Sequence, residues 1–244
     1  MLLRRITKHV KEQNWFAVGI DFIIVVIGVF IGIQVANWND NQNTKAALAA
    51  SLERLDKEVS LNMELIDDVL VYYENGRSDF DTARKALNVC AVSEEGQVAL
   101  EALLFDLVSD VQPNFVTVSL DQLANEGRYQ DLLSPGFQQT FVTYAGRLNE
   151  EHEQLTSHYE QMWARHVNYH PAISSFFPGE DETEVGQWGF KLDRPYEEVC
   201  ADPEFRTQFI NTIGFYSAIE TRLLRLRSEV EVFRASLADE LERL

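Results

Sequence analysis

AALAASLERLDKEVSLNMELIDDVLVYY, residues 46–73, is the stretch that decides the fold class. Leu48, Leu52, Leu55, Val59, Asn62, Ile66, Val69 and Tyr73 recur at alternating steps of four and three. That spacing keeps one stripe of a helix turned toward a partner, while the polar residues between them, as in LERLDKEVS, fill the other faces. The spacing therefore predicts a long helix with a heptad seam. Asn75-Gly76 predicts an end or a bend, although Phe80, Ala83, Leu87 and Cys90 would carry the same seam onward.

Upstream lies GIDFIIVVIGVFIGIQVANWND, residues 19–40, apolar almost throughout but for Asp21 near its start. The run from Phe16 to Val35 is nearly all apolar, and at helical rise it spans a hydrocarbon core of about 30 Å. Trp15 and Trp38 flank it, where indoles prefer the two lipid–water interfaces. Arg4, Arg5, Lys8 and Lys11 precede it, and a long acidic chain follows. An excess of cations marks the cytoplasmic side. The expectation is a cytoplasmic N-terminus over 1–14, a transmembrane helix over 15–38, and an exported helical domain over 39–244. A cleaved signal peptide would have a shorter apolar core and a small-x-small site, whereas a cut after Ala36 would put Gln34 at the third position back. An uncleaved anchor is the reading the residues favour.

Downstream, Leu100, Leu103, Leu104, Leu107 and Val108 share one face of a second helix predicted over Glu94 to Ser109, which Pro113 stops. Ser119 with Gln122 three residues later predicts a capping box for a short helix closed by Gly127. Ser134-Pro135 opens a long helix whose apolar side is Phe141, Tyr144, Leu148, Leu155, Tyr159, Met162 and Tyr169, ending at Pro171. Residues 171–201, including FFPGEDETEVGQWGFKLDRP, read as irregular. Asp202-Pro203 caps a last helix with its own seam through Phe209, Ile213, Tyr216, Leu223, Leu226, Val230, Phe233, Leu237 and Leu241. No strand-like alternation of useful length occurs. The expected fold is all-α: one N-terminal transmembrane helix continuing into a long-helix bundle, in which the first and last helices pair antiparallel as a coiled-coil-like stalk.

The formal net charge is −18, and four of the cations lie in the N-terminal segment, so the exported part is more acidic still. Such a surface repels nucleic acid and anionic lipid and keeps the domain soluble. Cys90 and Cys200 both fall in the exported part. An even pair in an oxidising compartment predicts one disulfide, with two buried thiols as the alternative.

At residues 19–40 the chain resembles a widespread family of uncharacterised bacterial single-pass membrane proteins. In that family an acid opens the helix, a glycine lies in its middle, and the span closes on Gln-x-x-Asn-Trp-Asn-acid; Asp21, Gly28, Gln34, Asn37, Trp38, Asn39 and Asp40 take those places. A second stretch, PNFVTVSLDQLANEGRYQDLL, is similar through Thr117, Leu123, Gly127, Leu132 and Leu133. Ala36 stands where the family often has Asn, and Glu126 where a Ser often precedes the glycine. The resemblance implies an inner-membrane anchor, a periplasmic helical domain and no assigned activity.

Within the span, Asp21 and Gly28 are seven residues apart and so lie about 20° apart around the helix. Gly28 and Gly32 form a GxxxG pair, and Ala17 extends that side. Small residues let a second membrane helix approach closely, so Ala17, Asp21, Gly28 and Gly32 read as an interface with another helix. Asp21 has three readings: a carboxylate hydrated at the cytoplasmic interface, a partner in an interhelical hydrogen bond or ion pair, and a proton carrier. Trp15, Gln34, Asn37 and Trp38 read as interfacial anchors.

His152, His158, His166 and His170 cluster, and His166 with His170 at i, i+4 is a spacing that can hold a metal. No HExxH accompanies them and no Cys is close in sequence, so the expectation is ordinary packing and capping histidines, with no metal and no cofactor. GEDETE, residues 179–184, lacks the ligand alternation and glycine of an EF-hand. Nucleophile elbows, phosphate loops and dinucleotide fingerprints are missing as well.

The reading is a non-enzymatic scaffold or accessory subunit of an envelope complex, embedded in the membrane as a homo-oligomer or beside a polytopic inner-membrane partner, with no nucleic acid. The alternative is a subunit of a proton-driven membrane machine in which Asp21 carries the proton. A periplasmic ligand sensor that signals through a partner is the third and weakest.

Overall fold

The computed structural model describes residues 15–90, 94–106, 111–163, 167–176 and 189–244. Its helices are α1 (Trp15–Val89), α2 (Glu94–Asp106), α3 (Val118–Asn125), α4 (Pro135–Trp163), α5 (Tyr196–Ala201) and α6 (Pro203–Arg243). Two short strands, β1 (Ile173–Phe176) and β2 (Gly189–Leu192), lie between α4 and α5. The chain is mostly helical, as its periodicity predicts, and it divides after Ser51 into two compact units.

α1 does not end at Asn75-Gly76. A Cβ added at Gly76 would meet the Phe80 ring at 3.5 Å, an ordinary contact, and the helix runs on to Val89. It stops at Cys90, whose φ of 48° is the left-handed conformation that terminates helices and whose N–H still reaches the Ala86 carbonyl at 3.0 Å.

In the unit from Leu52 to Arg243 three long helical stretches share one core. Leu52, Leu55, Val59 and Ile66 of α1 are fully buried, as are Leu148 of α4 and Phe205, Leu223, Val230 and Leu237 of α6. Paired residues give the directions. Along α1 and α6, Asp56 meets Arg234 at 3.8 Å, Asp67 meets Arg227 at 2.5 Å, and the Tyr73 and Tyr216 rings stand 5.5 Å apart. Along α4 and α6, Thr140 bonds Ser236 at 2.9 Å, Arg147 bonds Glu229 at 2.9 Å, and His158 meets the Phe215 ring at 4.9 Å. Numbers rise on one helix as they fall on the other, so α6 runs antiparallel to both α1 and α4.

Four expectations need correction. The capping box Ser119/Gln122 is not how α3 starts: the helix opens at Val118, so Ser119 already lies in its first turn, and no side chain of its own caps it. Gly127 does not close that helix, which stops at Asn125, but opens a 3₁₀ turn over Gly127–Tyr129. α4, described over Pro135–Trp163, does not continue to Pro171: Tyr169 belongs to a separate 3₁₀ turn (Val167–Tyr169) and is exposed rather than on the apolar side. Finally, β1 and β2 pair antiparallel, with Ile173 opposite Leu192 and Phe176 opposite Gly189, and α2 packs on β2. Four residues per strand are too few for a period of two to show in the sequence. The GEDETE loop lies outside the described residues.

Two caps are as predicted. Ser134 Oγ accepts the Phe137 N–H at 3.2 Å at the start of α4, and Asp202 Oδ1 accepts the Glu204 N–H at 3.0 Å ahead of Pro203 in α6.

Candidate functional site

The first candidate is the apolar stretch of α1. It is long and apolar enough to cross a membrane, and its large side chains from Phe22 to Val35 are exposed. Gly28 and Gly32 are open: a Cβ built on either meets nothing within 4 Å. Neither glycine is therefore required by packing within the chain. Gln34, Asn37 and Trp38 are exposed too. The side chains of Trp15, Ala17 and Asp21 lie outside the described residues, although their backbone is helical.

The second candidate is the set of polar side chains buried between the long helices. Asn62 sits in the middle of the α1 seam, only 1% exposed. Its amide grips one residue of the passing chain at both ends: Nδ2 donates to the Val116 carbonyl at 2.8 Å, and Oδ1 accepts the Val116 N–H at 2.8 Å. One turn earlier, Glu58 accepts the N–H groups of Ser119 at 2.6 Å and Leu120 at 3.0 Å. A carboxylate from α1 thus supplies the N-terminal cap that α3 lacks, in the position where the helix dipole favours negative charge. Close by, burial pushes the Tyr144 hydroxyl up to about 12; Asn62 counteracts this and Glu58 adds to it.

Similar carboxylates hold other junctions. Glu240 accepts the Ser134 N–H at 2.9 Å and its hydroxyl at 2.6 Å, while Arg243 bridges Glu240 to the Leu132 carbonyl. Burial alone would raise the Glu240 carboxyl, but the Arg243 and Ser134 donors outweigh it and hold it low. Glu151, 4% exposed, bonds Arg222 of α6 at 3.1 Å. Higher on α1, the Tyr73 and Tyr159 hydroxyls lie 3.3 Å apart, and Tyr159 donates to the Val111 carbonyl at 2.7 Å. Burial drives the Tyr73 phenol far above its ordinary range.

Cys90 and Cys200 are joined as a disulfide across 110 residues, tying the end of α1 to α5. His170 of the proposed histidine pair is buried just after the 3₁₀ turn Val167–Tyr169: Nδ1 accepts the Ala172 N–H at 3.2 Å, and Nε2 lies 3.6 Å from Asp202. His166 lies outside the described residues. Among the described residues no three His, Cys, Asp or Glu side chains converge as a metal site would require. His158 is different. Its Nε2 is buried without a hydrogen-bond partner, and burial, then the neighbouring Arg222 charge, lowers its pKa.

Sequence reasoning placed Asn62 on the seam but missed its task. A carboxamide among eight seam residues is a visible anomaly; Glu58, off the seam, carries no such mark. These polar groups end on backbone N–H and C=O groups, on hydroxyls or on guanidinium groups, and so fix chain segments to one another. No family model, no curated protein and no solved structure gives a significant match to this chain.

Proposed function

We propose that the chain is a membrane-anchored helical protein of the bacterial envelope, working without catalysis as a scaffold or accessory subunit. The α1 span sits in the inner membrane with the cations of residues 1–14 in the cytoplasm, and the domain after Trp38 stands in the periplasm. The observation that carries this reading is the pair of unfilled glycines, Gly28 and Gly32, on an exposed apolar helix. Backbone exposed there favours close approach by another membrane helix, either a second copy or a polytopic partner. The Cys90–Cys200 bond supports an oxidising compartment for the domain. The pairing of α1 with α6 supports the antiparallel stalk, with the seams used inside one chain.

Gly28→Leu tests the assembly claim. Native mass measured after gentle extraction should fall to that of the single chain, because a leucine holds the backbones apart; an unchanged mass removes the claim. Asp21→Asn distinguishes the proton-carrier alternative. A scaffold keeps its assembly and its cellular role with Asn at this position, whereas a proton carrier keeps assembly and loses the role.

A further inference from the structure

Between Tyr73–Arg84 of α1 and Ile213–Glu220 of α6 a recess of about 250 Å³ opens to solvent. Its floor is aromatic. The rings of Tyr73 and Phe80 meet that of Tyr216 at 5.5 and 5.4 Å, and Phe80 is only half-buried. Its rim is charged and balanced. Arg77 and Arg84, seven residues apart, share one face of α1; Arg77 pairs with Glu220 across the recess, and Arg84 pairs with Asp81 at 2.8 Å. Both guanidinium side chains are more than half exposed, while Glu220 is 21% exposed and lies deeper.

The balance decides the ligand class. A ligand of one sign would take one member of each ion pair and strand the other. A ligand carrying both signs can replace each pair with an equivalent one. Exposed ion pairs contribute little to stability, so Arg84–Asp81 opens readily, and Arg77 can swing into solvent from the deeper Glu220. Carboxylate suits the forked donors of arginine, and an apolar body suits the ring floor. The volume falls just below the usual range for ligand pockets, roughly 300–1,000 Å³, which restricts the occupant to the size of one ring or one branched chain.

We infer that this recess binds a small zwitterion with an apolar side chain, of the class of free α-amino acids. The carboxylate lies against Arg77 and Arg84, the ammonium against Glu220 and Asp81, and the side chain over Phe80 and Tyr216. The site is independent of how the span assembles.

The test is calorimetric titration of the full chain in mild detergent with L-phenylalanine and L-leucine as probes. Phenethylamine supplies the ammonium alone and 3-phenylpropionate the carboxylate alone. One of the two amino acids should bind with a Kd below ~10 mM, and the single-charge analogues should bind at least roughly tenfold more weakly. Arg84→Ala and Glu220→Gln, both at the rim, should each weaken binding by roughly tenfold while the helical circular-dichroism melt stays in place. Ser217→Trp, which fills the recess from α6, should abolish it. Absence of binding by both amino acids overturns the inference. So does equal binding of either analogue, or binding that survives Ser217→Trp.

Discussion

At the scale of single residues, the informative positions are the polar ones buried among apolar neighbours. Asn62 makes two hydrogen bonds to the backbone of Val116, and removing the amide takes both away at once. Leaving a part-buried N–H and C=O short of partners costs at least the net worth of the two bonds. Asn62→Ala should therefore destabilise the protein by about 2–3 kcal/mol in chemical unfolding, whereas Asn62→Asp keeps an acceptor for the N–H and repels the carbonyl. A loss near zero for Asn62→Ala would mean that water replaces the amide. His158 offers a prediction in pH. Its folded pKa lies below the unfolded value of about 6.5, first because it is buried and second because Arg222 stands beside it; Arg222 is itself engaged by Glu151. The unfolded chain then binds the extra proton more readily than the native one. Stability is unaffected above that unfolded value and falls as pH drops below it, until the folded pKa is passed. Asp202 and Glu240, whose carboxyls are held low, lose their contribution only in a more acidic window, below the ordinary carboxylate range. For Asp202, partial burial works against the lowering, and the Glu204 N–H, Arg194, the Phe205 N–H and His170 together outweigh it. His158→Phe should remove the upper step of a stability-versus-pH curve and leave the lower one.

At the scale of elements, packing outweighs charge along α6. Phe233 is 2% exposed, lies flat on the Tyr144 ring at 4.1 Å, and meets Phe137 and Phe141 as well. Phe233→Ala should cost about 3–5 kcal/mol, the range for emptying an aromatic site in a core. Arg227 bridges to Asp67 of α1 at 2.5 Å, yet both side chains are more than a third exposed, so Arg227→Ala should cost less than about 1 kcal/mol. Equilibrium unfolding of the two variants compares them directly, and a reversal of their order would make ion pairs the main link between helices. This hierarchy also explains what could be read beforehand. Apolar seams such as Leu52–Leu55–Val59 and Leu223–Leu226–Val230 were legible because burial imposes a period on the chain. The caps on Ser134 and Asp202 were legible because the capping residue is local. The cap on α3 was not, since its carboxylate comes from Glu58, some sixty residues earlier. The β1–β2 pair was invisible for a related reason: its partners are joined through backbone groups that every residue carries. The recess lined by Arg77, Arg84 and Glu220 had no local spacing to betray it, because half of its rim comes from the far end of the chain.

At the scale of the whole molecule, the question is what remains available for association once the internal contacts are made. From Leu52 to Tyr73 the α1 seam is buried within the chain, and so is that of α6 from Phe209 to Leu237 apart from the half-buried Ile213. A heptad seam already covered cannot also bind a second copy without first unzipping its own partner. Among the described residues, the span carries a long run of exposed apolar side chains, with Phe22, Ile24, Phe30 and Ile33 all more than half exposed. Elsewhere the surface is strongly acidic, consistent with a net charge of −18, and copies of such a domain repel one another at low salt. These two features predict a clean division. A chain begun at Asn39 should be soluble and monomeric in sedimentation equilibrium from about 1 to 100 µM, at both low and moderate salt, while the full chain in mild detergent sediments as a larger assembly. A truncated chain that associates only at moderate salt would show that charge masks a contact on the domain itself. Association at both salts would mean that the seams exchange partners between copies, and the span would then be an anchor rather than the organising contact. A truncated chain that stays monomeric while the full chain forms a larger assembly would trace that assembly to the span, and would make Gly28 and Gly32 the residues whose partners should be sought by cross-linking.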